Sequence, residues 1–347
     1  MIDWTDRSIP DEVHVMMVDP HNLDIVRGEL ENLVLSDCSV SYGYNTDTRT
    51  SAKLATLGSN YIDNSWLRII HKRGDFTEEL GTYVLEKSPE HSWEKKAEKY
   101  SYQLQSVLWS ISKDYATYHY SVGKGAYTLN IFDDICKIVK KINLHEAGAR
   151  NYRYSASKVF EVGDSWLSFL FDICETANDR LDIDGHGRIT ISPYYSPTEI
   201  TPSWDIDADS KRTMLLSDAI TWSASNDAVP GRALVIYSNG DTEIIASSDQ
   251  PSSSPYSDDQ RGYTITNTYQ ISDMTPVTKA RAQQLASQYL SQQKQIVQCQ
   301  CSMLYFPCRP GETMYLTIDG NRMKYQIKNV DPVNLKDFTM GLTLREI

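Results

Sequence analysis

The chain has 347 residues, a formal net charge of −12, 22 tyrosines against 7 phenylalanines, and 6 cysteines. Its length accommodates two or three domains, each able to bury a core. The acidic balance argues against a nucleic-acid-binding surface, which needs clustered Lys and Arg, and six scattered cysteines in so long a chain do not form a disulfide scaffold.

The N-terminal third reads as β-rich. Val13–Pro20 and Asn22–Leu30 alternate as strands, and Val34–Leu57 alternates around a polar break at Tyr44–Asp47, the pattern of a long hairpin. Asn64–Ser88 holds two more strands about the turn Lys72–Asp75, and Lys95–Ser112 carries a further alternating run. Closely spaced strands without long intervening helices predict a barrel or sandwich over residues 1–111.

The pattern changes over residues 112–206. Leu129, Phe132, Ile135, Cys136, Val139 and Ile142 recur at helical spacing. A second helix is expected from Ser165 to about Asp179, with Trp166, Leu167, Leu170, Phe171 and Cys174 on one side and Asp164 or Ser165 as its N-cap. Asp184–Gly187 reads as a tight turn between two short strands, and Pro193, Pro197 and Pro202 mark an extended exit. This is a mixed helix and strand middle domain.

Residues 207–347 return to strands. Ala219–Asn239 is strand-like, an exposed Pro/Ser loop is expected at 249–262, and a helix at 276–294 starts with Thr275 as N-cap and Pro276 at its first position. Three alternating strands follow at Met314–Asp319, Met323–Asp331 and Phe338–Ile347. The fold class expected is therefore α+β, mostly β, with two β-barrel domains flanking the middle one.

Motifs that carry chemistry give little. Cys299, Cys301 and Cys308 are close in sequence, and alternation places the first two on one face, but no fourth Cys or His lies nearby for the usual four-ligand zinc site. Asp182–Pro193 starts like a calcium loop yet has His186 at the fifth position and Pro193 where the bidentate Glu belongs. Ser121–Gly125 lacks the full phosphate-loop spacing and reads as a turn before the first helix. The seven histidines are dispersed, no nucleophile elbow is present, and 46 acidic residues nominate no particular carboxylate pair. No catalytic, cofactor or metal residue is assigned. The opening 17 residues lack the apolar core of a signal peptide, and no run reaches the ~18 apolar residues that span a membrane.

The succession of elements resembles the baseplate or tail hub proteins of tailed bacteriophages, the family of the Mu hub and of the N-terminal hub module of siphophage tail-tip proteins. The residues that carry the resemblance are the hairpin Ser36–Thr56 with its return Thr48, Arg49 and Leu54, the helix and Gly-rich hairpin of Val159–Pro197, and the segment Ala219–Asn239 with Asn226 and Pro230. The polar loop, the Ala/Gln-rich helix and the last three strands then follow in the family's order.

The resemblance implies tail-tube-like barrels, a homotrimeric ring and a virion structural role without catalysis or cofactor. It implies tail-tube or distal tail proteins above, and a tip, spike, fibre or tape measure protein below. DNA would pass transiently through the lumen, where an acidic wall repels phosphates. It also implies a tail tip or baseplate location after synthesis in the bacterial cytoplasm. Because the chain ends at Arg345–Ile347, directly after the last strand, an attached hydrolase is not expected. The competing readings are a tail-associated cell-wall hydrolase and a host-carbohydrate-binding tail protein.

Overall fold

The computed structural model describes residues 3–58, 62, 64–94, 97–154, 156–210, 213–216, 220–224, 229–238, 243–272, 278–292 and 297–347. The N-terminal strands are β1 (Asp11–Asp19), β2 (Asn22–Glu29), β3 (Ser39–Gly43), β4 (Thr50–Leu57), β5 (Trp66–Arg73), β6 (Phe76–Leu85), β7 (Glu90–Glu94) and β8 (Ala97–Ser106). They pair antiparallel in the order β3-β4-β8-β6-β5-β1-β2, with β7 on β8. The alternation read from the sequence is the alternation observed: Leu67, Ile69 and His71 of β5 face inward together.

The β1–β5 register sets Asp11 opposite Arg73, two residues from the Val13–His71 pair and on the same face. The Asp11 carboxylate therefore meets both basic side chains. His71 Nε2 faces Asp11 Oδ1 at 2.8 Å, and Arg73 Nη1 donates to Asp11 Oδ2 at 2.8 Å. Arg73 also donates to the carbonyl of Asp6. Rings enclose the group: Phe338 stacks on His71 at 4.0 Å, and Trp4 and Tyr305 meet it edge-on or tilted.

In the middle segment α1 (Val107–Ser112) follows β8 directly, and β9 (Tyr120–Val122), α2 (Thr128–Ile138), β10 (Asn143–His145), β11 (Lys158–Phe160), α3 (Trp166–Ala177), β12 (Asp179–Ile183) and β13 (Ile189–Pro193) follow. α3 starts as expected, with the Ser165 hydroxyl accepting from the Ser168 N–H at 3.2 Å. It stops at Asn178, whose φ of +55° suits an amide side chain. Ile131, Phe132, Ile135 and Cys136 of α2 pack with Leu167, Leu170, Ile173 and Cys174 of α3 in a core of their own. Ile142, expected in the first helical stripe, lies beyond the end of α2 and is exposed. β10, β13 and β12 form a small sheet under these helices.

The last section holds β14 (Trp204–Asp207), β15 (Thr221–Ala224), β16 (Arg232–Ser238), β17 (Glu243–Asp249), α4 (Asp258–Arg261), β18 (Thr266–Ser272), α5 (Lys279–Gln292), β19 (Val297–Leu304), β20 (Thr313–Ile318), β21 (Asn321–Asn334) and β22 (Thr339–Glu346). Its outer strands do not stand apart from the N-terminal ones. β21 pairs with β3 from Asn329↔Gly43 to Asn334↔Ser39, so among the described residues one sheet of 14 strands continues as β15-β19-β22-β21-β3. One hydrophobic cluster runs through both halves, joining Val40, Leu54, Leu67 and Leu104 to Met303, Ile327, Val330 and Leu344. Register shifts near Pro332 accommodate the proline inside the ladder.

The segment Ala219–Asn239 is not one strand. Thr221–Ala224 pairs with β19 in the large sheet, whereas Arg232–Ser238 is the centre of a separate sheet, β17-β16-β18. The reason is packing: Val235 and Tyr237 of β16 are buried against Ala282, Leu285 and Ala286 of α5. The Ala/Gln-rich helix thus covers a three-stranded sheet, and its thin apolar stripe suffices for that narrow face. Thr275 and Pro276, read as its start, lie outside the described residues. Within the expected loop 249–262, Ser257 caps α4 through the Gln260 N–H, and Gln250 and Ser257 are buried. Among the described residues no helix is long and apolar enough to cross a membrane.

Candidate functional site

The middle segment is fixed to the large sheet by the turn Asp184–Gly187. Asp184 shapes it, accepting from the Arg188 N–H at 2.8 Å and from Arg188 Nε at 2.6 Å. The turn lies directly on β6. Thr82 Oγ1 donates to the Gly185 carbonyl at 2.8 Å, and the buried Arg68 donates to the carbonyls of His186 at 3.2 Å and Leu23 at 2.9 Å. A β-carbon at position 185 would stand 2.5 Å from the Glu79 carbonyl oxygen, and one at 187, where φ is +88°, would stand 2.9 Å from the Thr82 β-carbon. Both glycines are there for close approach. The residues considered as a calcium loop therefore act as a plug on the sheet.

Beside the plug lies a cavity of about 400 Å³ lined by Arg49, Arg180, Arg309, Asp182 and Tyr42 among others. Glu78 of β6 forms an ion pair with Arg309 and accepts from the Tyr305 hydroxyl at 2.5 Å. Arg309 lies over the Tyr42 ring at 4.6 Å. Burial pushes the Tyr305 hydroxyl up, and the Glu78 charge adds to that. A charged tie thus joins the two ends of the chain. Arg49, read as part of the hairpin return, has φ +60° and donates through Nε to the Leu181 carbonyl at 3.1 Å. Its partner in that return, Leu54, is buried in the common core.

A second opening, about 950 Å³, separates the middle segment from α5; Arg150, Tyr194, Glu199, Arg281 and Gln288 line it. Asp179, beside the lining residue Asn178, is 7% exposed, accepting from the Arg150 N–H at 2.8 Å through Oδ2 while Oδ1 is buried without a hydrogen-bond partner. Burial pushes its pKa up to about 6, against the pull of the Arg150 N–H and charge. A carboxyl that keeps its proton longer when folded favours the fold below the unfolded pKa near 4. That contribution disappears as pH rises through about 6. Asp179→Asn is expected to raise stability at pH 7 by on the order of 1–2 kcal/mol and to leave it little changed at pH 4. Urea melts at the two pH values check this; a variant weaker at pH 7 would mean that the charge is well paired.

Cys299 and Cys301 do share a face of β19, as alternation requires, and Cys308 is buried in the same core cluster. A hydrogen bond to Cys299 and burial both push the Cys301 thiol up. All three are free thiols. Among the described residues no group of three or more His, Cys, Asp or Glu side chains is gathered for a metal ion. Ser121–Gly125 is the end of β9 and a turn entering α2, and a β-carbon at Gly123 would meet nothing within 4 Å. His186, drawn from the dispersed histidines, sits 3.2 Å from Glu79 at the plug. Glu78 and Glu79 read from the sequence as turn or loop acids, whereas both lie in β6, and sequence reasoning missed Arg309 and the approach of Gly185. Only the two glycines of the turn gave a signal, and turn chemistry alone explained them.

No family model and no curated protein matches the chain. Solved structures do. The tail protein from Neisseria meningitidis MC58 aligns over 97% of this chain and 96% of its own, with a TM-score of 0.69 at 11% identity. The 43 kDa tail protein of prophage MuSo2 from Shewanella oneidensis aligns over 96% and 98%, with a TM-score of 0.64 at 9% identity. A prophage tail protein from Listeria monocytogenes EGD-e aligns over 96% and 94%, with a TM-score of 0.58 at 9% identity. The chain shares the fold of phage tail proteins along nearly its whole length.

Proposed function

We propose that this chain is a structural protein of a virion, the hub of a tail tip or baseplate. Three copies form a ring that joins the tail tube to the distal tip and leaves a channel for DNA. The observation that carries this reading is the alignment of nearly the entire chain with tail proteins, end to end in both partners. In this reading residues 1–111 and 207–347, joined by one sheet and one core, supply two tube-like barrel lobes per subunit, residues 112–206 supply the middle domain, and three chains present six quasi-equivalent units. The contacts around a three-fold ring are heterologous and closed. The net charge of −12 suits a lumen that passes phosphates without holding them.

Its partners are tail-tube or distal tail proteins above, and a tip, spike, fibre or tape measure protein below. The role is scaffolding, with no catalytic step. Electron microscopy of the intact particle tests the proposal: density for this chain on the tail axis, in three copies at the tube's distal end, is the expected result. Density away from the axis would overturn it. Lysis of host cell walls by the purified protein in a zymogram would replace the scaffold reading with a hydrolase.

A further inference from the structure

A third cavity, about 460 Å³, opens between α3 and β12 on one side and β18 and α5 on the other. Three acids line it, Asp172 and Glu175 from α3 and Asp179 from β12, and among the described residues no Lys or Arg does. Tyr194, Tyr269 and Tyr289 supply the aromatic part of the wall, and the last two stack ring on ring at 4.1 Å. Asp172 accepts from Lys158 Nζ at 3.0 and 2.8 Å. Asp179 is served less well. It is buried, its Oδ2 takes the Arg150 N–H, and its Oδ1 has no hydrogen-bond partner.

A buried carboxylate oxygen without a donor is unfavourable, and a positively charged donor satisfies it more strongly than a neutral one. Tyrosine faces favour the same charge, because the ring quadrupole is negative there. We propose that this cavity binds an alkylammonium group, the charged head of an amine on a short apolar stem. The carboxylates take the head and the rings take the stem. A metal ion suits the cavity poorly: among the described residues no three acid, His or Cys side chains are gathered for one. Three carboxylates in the lining turn anions away. Such an amine comes either as a free small molecule or as a lysine side chain of a partner protein, and the test separates the two. The inference rests on the cavity and stands apart from the hub reading.

The test is calorimetry on the full chain at low ionic strength and pH 7.5, with n-butylamine and a lysine capped at both backbone ends as probes. Butanol, which keeps the stem and lacks the charge, and magnesium ion, which has charge and no stem, are the comparison ligands. At least one amine is expected to bind, and Asp179→Asn to weaken it by about tenfold or more, the scale of a lost charge-assisted contact. Glu175→Gln, a second variant on the α3 side of the cavity, is expected to act in the same direction. Asp179→Asn keeps an oxygen for the Arg150 N–H and is expected to melt no lower than the parent, so its weaker binding does not report a lost fold. Capped lysine binding at least as tightly as butylamine assigns the cavity to a partner's side chain, and tighter butylamine binding assigns it to a free amine. The proposal is overturned if neither amine binds, or if both variants bind as tightly as the parent. Butanol or magnesium binding as tightly as the amines overturns it too.

Discussion

Replacing Asp11 with alanine is expected to destabilise the fold by about 3–5 kcal/mol, the cost of removing one partner from a buried ion pair. The reason is what remains. His71 is fully buried, Arg73 keeps only 4% of its side chain exposed, and both direct their nearest polar atom at Asp11. Without the carboxylate, Arg73 retains the Asp6 carbonyl but loses the carboxylate it pairs with directly. Burial by itself raises the pKa of Asp11, yet hydrogen bonds from His71 and Arg73 and the Arg73 charge outweigh it and hold the carboxyl below its ordinary value. A lowered carboxyl pKa gives stability that is present above the unfolded value near 4 and is lost as pH falls through the folded one. The parent should therefore lose stability steeply below about pH 4, and Asp11→Ala should show a shallower acid limb. Denaturant melts from pH 3 to 7 measure both slopes. Parallel limbs would show that another group governs acid unfolding. Because Phe338 and Tyr305 pack on His71, the lesion is also expected to loosen the C-terminal strands, and amide exchange in β22 reports it.

Local order was legible because it is set by neighbours in sequence. Ser165 as a cap, the α3 stripe and the shared face of Cys299 and Cys301 all follow from periods of 3.6 or 2. The turn at Asp184–Gly187 was legible for the same reason. Long-range pairing was not. Ser41 donates to Asp331 across 290 positions, and nothing in either strand specifies the other beyond a compatible alternation. That is why the two β-rich ends read as separate units although one sheet and one core join them. The division of Ala219–Asn239 between two sheets was hidden too, since a strand looks alike whichever sheet receives it. At the plug the glycines were visible and the surface they approach was not.

That approach gives the second large effect. Gly185→Ala is expected to cost about 3 kcal/mol, the upper part of the range for overpacking, because the added carbon meets backbone and not a yielding side-chain end. The Glu79 carbonyl would lie 2.5 Å away and cannot move without distorting the β5–β6 pairing at its register shift. Gly187→Ala adds a different penalty, left-handed backbone at φ +88° together with contact on Thr82, and is expected to be similarly harmful. Gly123→Ala is the control: its β-carbon meets nothing, so a change within about 0.5 kcal/mol is expected. The form of the loss matters as much as its size. The middle segment has its own core and meets β6 through the plug, so lifting the turn should separate two events in unfolding. Tryptophan fluorescence and far-ultraviolet circular dichroism should then give different midpoints for Gly185→Ala and coincident ones for the parent. A coincident, undiminished transition in Gly185→Ala would mean that the turn yields freely, and that the segment is held to the sheet by α1 and β8 instead.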